Sequence, residues 1–80
     1  MKLPRDLSGR DIVQGLCRDW GYQIVHQQGS HIIIQTEKPG HQRLAVPDHP
    51  VLRIGTLSSI LRAVAQHKGV ERDALLKTLR

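Results

Sequence analysis

Between Ser8 and Gly21 the apolar residues Ile12, Val13, Leu16 and Trp20 recur at the spacing of one helix face, while Arg10, Gln14 and Arg18 fall elsewhere. Ser8 is a natural N-cap, Asp11 puts a carboxylate in the first turn and Gly21 supplies a stop, so the pattern predicts a helix from about residue 9, after a lead-in over Pro4 to Leu7. From Tyr22 to Gln27 the period changes to alternation. Tyr22, Ile24 and His26 share one face and Gln23, Val25 and Gln27 the other, which predicts a strand. Gln28-Gly29 marks a turn. The β-branched run Ile32-Ile33-Ile34 places a second strand over Ser30 to Thr36, Glu37-Lys38-Pro39-Gly40 marks another turn, and Gln42 to Val46 forms a third strand.

Pro47-Asp48-His49-Pro50 reads as a loop, because prolines lack the ladder donor and restrict the residue before them. Thr56 then caps a second helix whose stripe is Leu57, Ile60, Leu61 and Val64, ending at Gly69, and Ala74, Leu75, Leu76 and Leu79 give a short terminal helix. Short turns make the strands antiparallel. The expected fold is therefore α+β: one domain over residues 1–80, with a three-stranded antiparallel sheet, the helices on one of its faces and the other face open to solvent.

Size and charge narrow what such a domain can do. At 80 residues its core is small, burying roughly 60% of the unfolded chain's surface, so recognition is expected on a shallow surface and not in a deep cleft. A net charge of +5 with the histidines neutral favours an anionic partner, nucleic acid first. Trp20 and Tyr22 are the only aromatics besides histidine, which argues against base stacking on the sheet; if RNA is the partner, charge and hydrogen bonds must bind it. The single cysteine, Cys17, excludes an internal disulfide and reads as a packing residue in the first helix. Met1 to Arg5 lack the apolar stretch of a signal peptide and no apolar run is long enough to span a bilayer, so a soluble cytoplasmic protein is expected.

Gly29-Ser30-His31 places an imidazole at the start of the middle strand, straight after a tight turn, where the backbone is held and solvent reaches the ring. Imidazoles exchange protons near neutral pH, as transfer to or from a ribose hydroxyl or a leaving oxygen requires; the competing reading is a histidine that simply packs beside the turn. Residues 49 to 70 carry Arg53, Arg62 and Lys68 and no carboxylate. They track a phosphate backbone, with Thr56 and the free amides of the second helix as an anion site, or else form an ordinary solvated face. Five histidines are many for this length, but no HExxH or CxxC spacing accompanies them, so no metal and no cofactor is expected.

Taken in order, Ser8-Gly9-Arg10-Asp11-Ile12-Val13, Gly21-Tyr22, Gln28-Gly29-Ser30-His31, Val46-Pro47-Asp48-His49 and Gly55-Thr56-Leu57-Ser58-Ser59-Ile60-Leu61 resemble the HicA (YcfA-like) toxins of toxin–antitoxin pairs, over nearly the whole chain. The resemblance implies a double-stranded-RNA-binding-domain-like α-β-β-β-α fold, to which the short terminal helix is added. It also implies metal-independent endoribonucleolytic cleavage of mRNA, arrest of translation and growth, and a HicB-type antitoxin that masks the site. The family's catalytic histidine maps onto His31, as general acid or base in attack of a ribose 2′-hydroxyl on the adjacent phosphodiester. Candidates for a second role are His49, which otherwise orders its loop, Lys38, and Arg43, better suited to steadying phosphate charge than to losing a proton. Ser30 either orients His31 or finishes the turn.

The chain departs from the family pattern in two places. Ile34 stands where many relatives carry an aromatic, so a stacking contact is absent there, and Ala63 to Gly69 extends the second helix. Two other functions fit the same charge and fold: a noncatalytic RNA-binding module, and a decayed toxin that still binds its antitoxin.

Overall fold

Ser8 opens the first helix, α1 (Gly9–Asp19), with a reciprocal cap: its hydroxyl accepts from the Asp11 amide at 3.0 Å while the Asp11 carboxylate accepts from the Ser8 amide at 3.0 Å. The computed structural model describes residues 6–79; the lead-in expected at Pro4 and Arg5, and the remaining N-terminal residues, lie outside them. Gly21, at φ 76°, turns the chain out of α1 into β1 (Gln23–Gln28), followed by β2 (His31–Thr36) and β3 (Gln42–Pro47). Gly29, at φ 58°, is the first of the two residues joining β1 to β2, where a tight hairpin needs a positive φ.

The sheet is antiparallel in the order β1-β2-β3, as the short turns require. Its register contains one irregularity: Ile24 pairs with Ile34 and His26 with Ile33, so Val25 is an extra residue accommodated as a β-bulge. Paired residues share a sheet face, and Ile32 and Ile34 are buried under the helices. Ile24, before the bulge, is therefore on the helix side, whereas His26, beyond it, is on the open side with Ile33. This corrects the expectation that Tyr22, Ile24 and His26 share a face: the bulge reverses the alternation between Ile24 and His26. β3 also runs one residue further than expected, since Pro47 pairs opposite His31 on an edge strand, where its missing donor faces no neighbour.

α2 (Ile54–Lys68) starts two residues before the expected cap, Thr56, which lies inside its first turn; the N-cap is Arg53, without a side-chain cap bond. Tertiary anchoring sets this boundary. Leu52 is buried and its amide donates to the Leu7 carbonyl at 2.9 Å, fixing where the chain can begin to coil. Gly69, at φ 68°, ends α2, and α3 (Arg72–Thr78) follows. The core joins Ile12, Val13 and Leu16 of α1, Ile32, Ile34 and Val46 of the sheet, Leu57, Leu61 and Val64 of α2, and Leu75 with Leu79 at the C-terminal end. Ile34 is fully buried within it, so that position packs the core and has no access to a ligand on the open face.

Candidate functional site

With the helices on one side, the β1–β3 register defines what the other side presents. Gln28 is opposite His31, His26 opposite Ile33, and Gln23 opposite Gln35; from β3, Pro47, Ala45 and Arg43 face His31, Ile33 and Gln35 in turn. This open face thus carries two imidazoles, three glutamine amides and one guanidinium, and none of the three strands contains an aspartate or glutamate. His31 stands on the central strand at the end nearest the β1–β2 turn. Its side chain is exposed and makes no hydrogen bond among the described residues.

The turn before His31 is held from behind. The Asp48 amide donates to the Ser30 carbonyl at 2.6 Å, and the Gly9 amide at the start of α1 donates to the His49 carbonyl at 3.0 Å. The Asp48 carboxylate accepts from Arg10 Nε at 3.0 Å and from Gln27 Nε2 at 3.5 Å. Hydrogen bonding from Arg10 holds that carboxyl below the usual carboxylate range, and the pairing raises the guanidinium in turn. Gln27, paired with the buried Ile32, reaches Asp48 from the helix side of β1. The segments Gln28 to His31 and Pro47 to His49 are therefore one assembly, pinned to the N-terminus of α1.

The other candidate residues are spread across the molecule. Ser30 and His49 belong to this assembly, Ser30 through its carbonyl. Lys38 lies beyond the far end of β2, which is roughly 16 Å from His31 at about 3.3 Å per residue, and Arg43 is opposite Gln35, roughly 13 Å along the ladder on the same face. The Arg43 guanidinium donates to the Gln35 amide oxygen at 2.9 Å and 3.2 Å. Arg53 and Arg62 are exposed on the helix layer, nine positions apart and hence on opposite sides of α2. Lys68 is turned inward: its ammonium donates to the Lys38 carbonyl at 2.6 Å and Thr36 Oγ1 at 3.0 Å and lies 4.9 Å from the Tyr22 ring centre. The basic residues of 49 to 70 do not make one stripe.

Among the described residues no group of three or more His, Cys, Asp or Glu side chains is arranged to hold a metal. Cys17 is half-buried against the core, and burial pushes its thiol above the ordinary value. The functional candidate that sequence reasoning misses is His26. Strict alternation groups it with Tyr22 and Ile24, and nothing in the composition of β1 announces the bulge that turns it outward.

These features define a class: a small α+β domain offering one open, imidazole-bearing sheet face. The family model described as HicA toxin of bacterial toxin-antitoxin matches residues 9–65, and the chain belongs to that family. It is accordingly a toxin of a toxin–antitoxin system, with an antitoxin as its partner. The match ends within α2, leaving the last turn of that helix and all of α3 beyond it. No curated protein and no solved structure matches the chain. Among the described residues no helix is long and apolar enough to cross a membrane.

Proposed function

We propose that this toxin is a cytoplasmic, metal-independent endoribonuclease that cleaves mRNA through His31 and is neutralised by a HicB-type antitoxin covering the open sheet face. The observation that carries the reading is the His31 imidazole itself: exposed, free of hydrogen bonds to other described residues, and mounted on the central strand behind a turn that Asp48 and α1 brace. A rigid mount matters, because proton transfer falls off sharply once the base leaves hydrogen-bond reach of the proton it takes. The face around it presents imidazoles, amides and a guanidinium with no strand carboxylate, a set that binds phosphate and moves protons without assembling a cation site. His31 takes the proton of a ribose 2′-hydroxyl as that oxygen attacks the adjacent phosphorus. The open face suits an extended strand of RNA, whose phosphates Arg43 engages further along the ladder.

The test is cleavage of end-labelled single-stranded RNA in EDTA by the wild type and by His31→Ala. Wild-type cleavage leaving 2′,3′-cyclic phosphate ends, with a loss of roughly 10²–10⁴-fold in the variant, is the expected result. Folded protein that binds RNA but cuts none would establish a noncatalytic RNA-binding module instead, and equal cleavage by both proteins would remove His31 from the chemistry.

A further inference from the structure

We propose that His26 is the general acid of this site, protonating the leaving 5′-oxygen while His31 accepts the 2′-hydroxyl proton; the assignment rests on the ribonuclease reading above. One imidazole cannot receive a proton and deliver another at two oxygens in the same instant, so 2′-hydroxyl attack leaves a second position to fill. Of the groups considered from sequence, Lys38 and Arg43 are displaced along the ladder, and His49 lies past the end of β3. His26 is on the ladder and on the correct face.

The register gives the relation. His26 is opposite Ile33 and His31 opposite Gln28, which makes the two histidines diagonal neighbours on the open face. Such positions are about 7–8 Å apart, with the Cβ atoms somewhat closer, near enough for both rings to reach oxygens of one phosphodiester set between them. Both rings are exposed and neither is hydrogen-bonded to another described residue. The only other charged group that the register puts on this face is Arg43.

The bulge adds an independent argument. In a regular ladder with Ile24 opposite Ile34, His26 would be opposite Ile32 and turned under α1. Val25 interrupts that ladder, leaves one residue unpaired and brings His26 onto the face of His31. Re-aiming a side chain beside a reactive site is what bulges of this kind do.

The step balances without a further reactant. The 2′-oxygen forms a bond to phosphorus as its proton passes to His31, the P–O5′ bond breaks, and the departing 5′-oxygen takes a proton from His26. The products are a 2′,3′-cyclic phosphate and a 5′-hydroxyl, with one proton moved from one ring to the other.

The experiment uses an RNA with one mapped cleavage site and the same RNA with sulfur in place of the bridging 5′-oxygen there, since a thiolate leaves without being protonated. His26→Ala and His26→Gln are expected to cleave the all-oxygen RNA roughly 10²–10⁴-fold more slowly than the wild type, the glutamine keeping polarity but unable to donate as an acid. On the sulfur RNA both should regain most of the wild-type rate while His31→Ala does not, and His41→Ala, at a residue just before β3 whose ring lies 3.0 Å from the Glu37 carboxylate at the far end of the ladder, should match the wild type throughout. Wild-type rates for His26→Ala on the all-oxygen RNA would overturn the assignment, as would a defect that sulfur leaves unrelieved or a rescue confined to His31→Ala. Cutting of neither RNA by the wild type would overturn the ribonuclease reading itself, and this one with it; that result is distinct from wild-type cleavage with an unimpaired His26→Ala.

Discussion

The Asp48 amide donates to the Ser30 carbonyl across 2.6 Å, which couples the loop leaving β3 to the turn that delivers His31. Two stretches that look like separate motifs in the sequence are thereby one mechanical unit, and α1 completes it by docking its first residue on the His49 carbonyl.

That docking is tight at Gly9. A Cβ there would stand 1.8 Å from the Pro47 carbonyl oxygen and 2.9 Å from its carbon, backbone atoms that cannot swing aside. Gly9→Ala should lower stability by about 1–3 kcal/mol, as overpacking does, and should slow RNA cleavage per folded molecule by displacing the loop that braces His31. Chemical denaturation and cleavage rates measured on the same preparation would check it; an unchanged denaturation midpoint would contradict the close approach.

The Arg10–Asp48 pair gives a pH dependence of known sign. Because the folded carboxyl titrates below its ordinary value near 3.9, the stability it contributes is present above that value and is lost as pH falls through the lower folded one. Asp48→Asn should therefore lose less stability than the wild type on acidification below about pH 4. Thermal midpoints recorded for both across that range would show parallel curves if the pair contributed nothing.

Tyr22 offers a titration that one residue reports alone, since the chain has a single tyrosine. Its hydroxyl donates to the Gln42 amide oxygen at 2.5 Å, and burial pushes it up to about 12. The folded value is raised, so the associated stability is intact below the ordinary value near 10 and is lost as pH rises through about 12. Phenolate absorbance should rise about two units later in native protein than in protein unfolded by denaturant; coincident curves would place the hydroxyl in water.

Thr78 fastens the segment that lies beyond the family match. Its hydroxyl accepts from the Trp20 indole N–H at 2.8 Å and donates to the Leu75 carbonyl at 2.8 Å, while its own carbonyl accepts from Arg18 at 2.6 Å. Thr78→Val should cost about 0.5–1.5 kcal/mol for each of the two hydroxyl bonds removed, and Leu75→Ala, at a fully buried site, about 2–5 kcal/mol. Fluorescence of the sole tryptophan should shift in Thr78→Val, with cleavage per folded molecule unchanged, because α3 lies on the helix layer away from His31.

Much of this fold is legible in the sequence where local chemistry decides it. Ser8 with Asp11 writes the start of α1, Gly21 and Gly69 write helix ends, and Gly29 writes the hairpin. The reading fails where a partner distant in sequence decides. Arg53 caps α2 instead of Thr56 because Leu52 is held by the Leu7 carbonyl, a bond between segments 45 positions apart. Ile34, the last of three consecutive isoleucines, gives no local sign of which side it takes; the helices settle that. The same limit applies to the site: His31 is marked by its turn, whereas the outward face of His26 depends on a register that only pairing with β2 fixes.

Tyr22 and His26 are four positions apart, an even count that in an unbroken strand sends both to the same side. One must enter the core and the other must stay in water, so the strand faces a parity conflict that no choice of side chains at those two sites resolves. Val25 resolves it by being counted in the chain but not in the ladder. Its importance is thus as a spacer: many side chains would serve at position 25, provided that the position itself is kept.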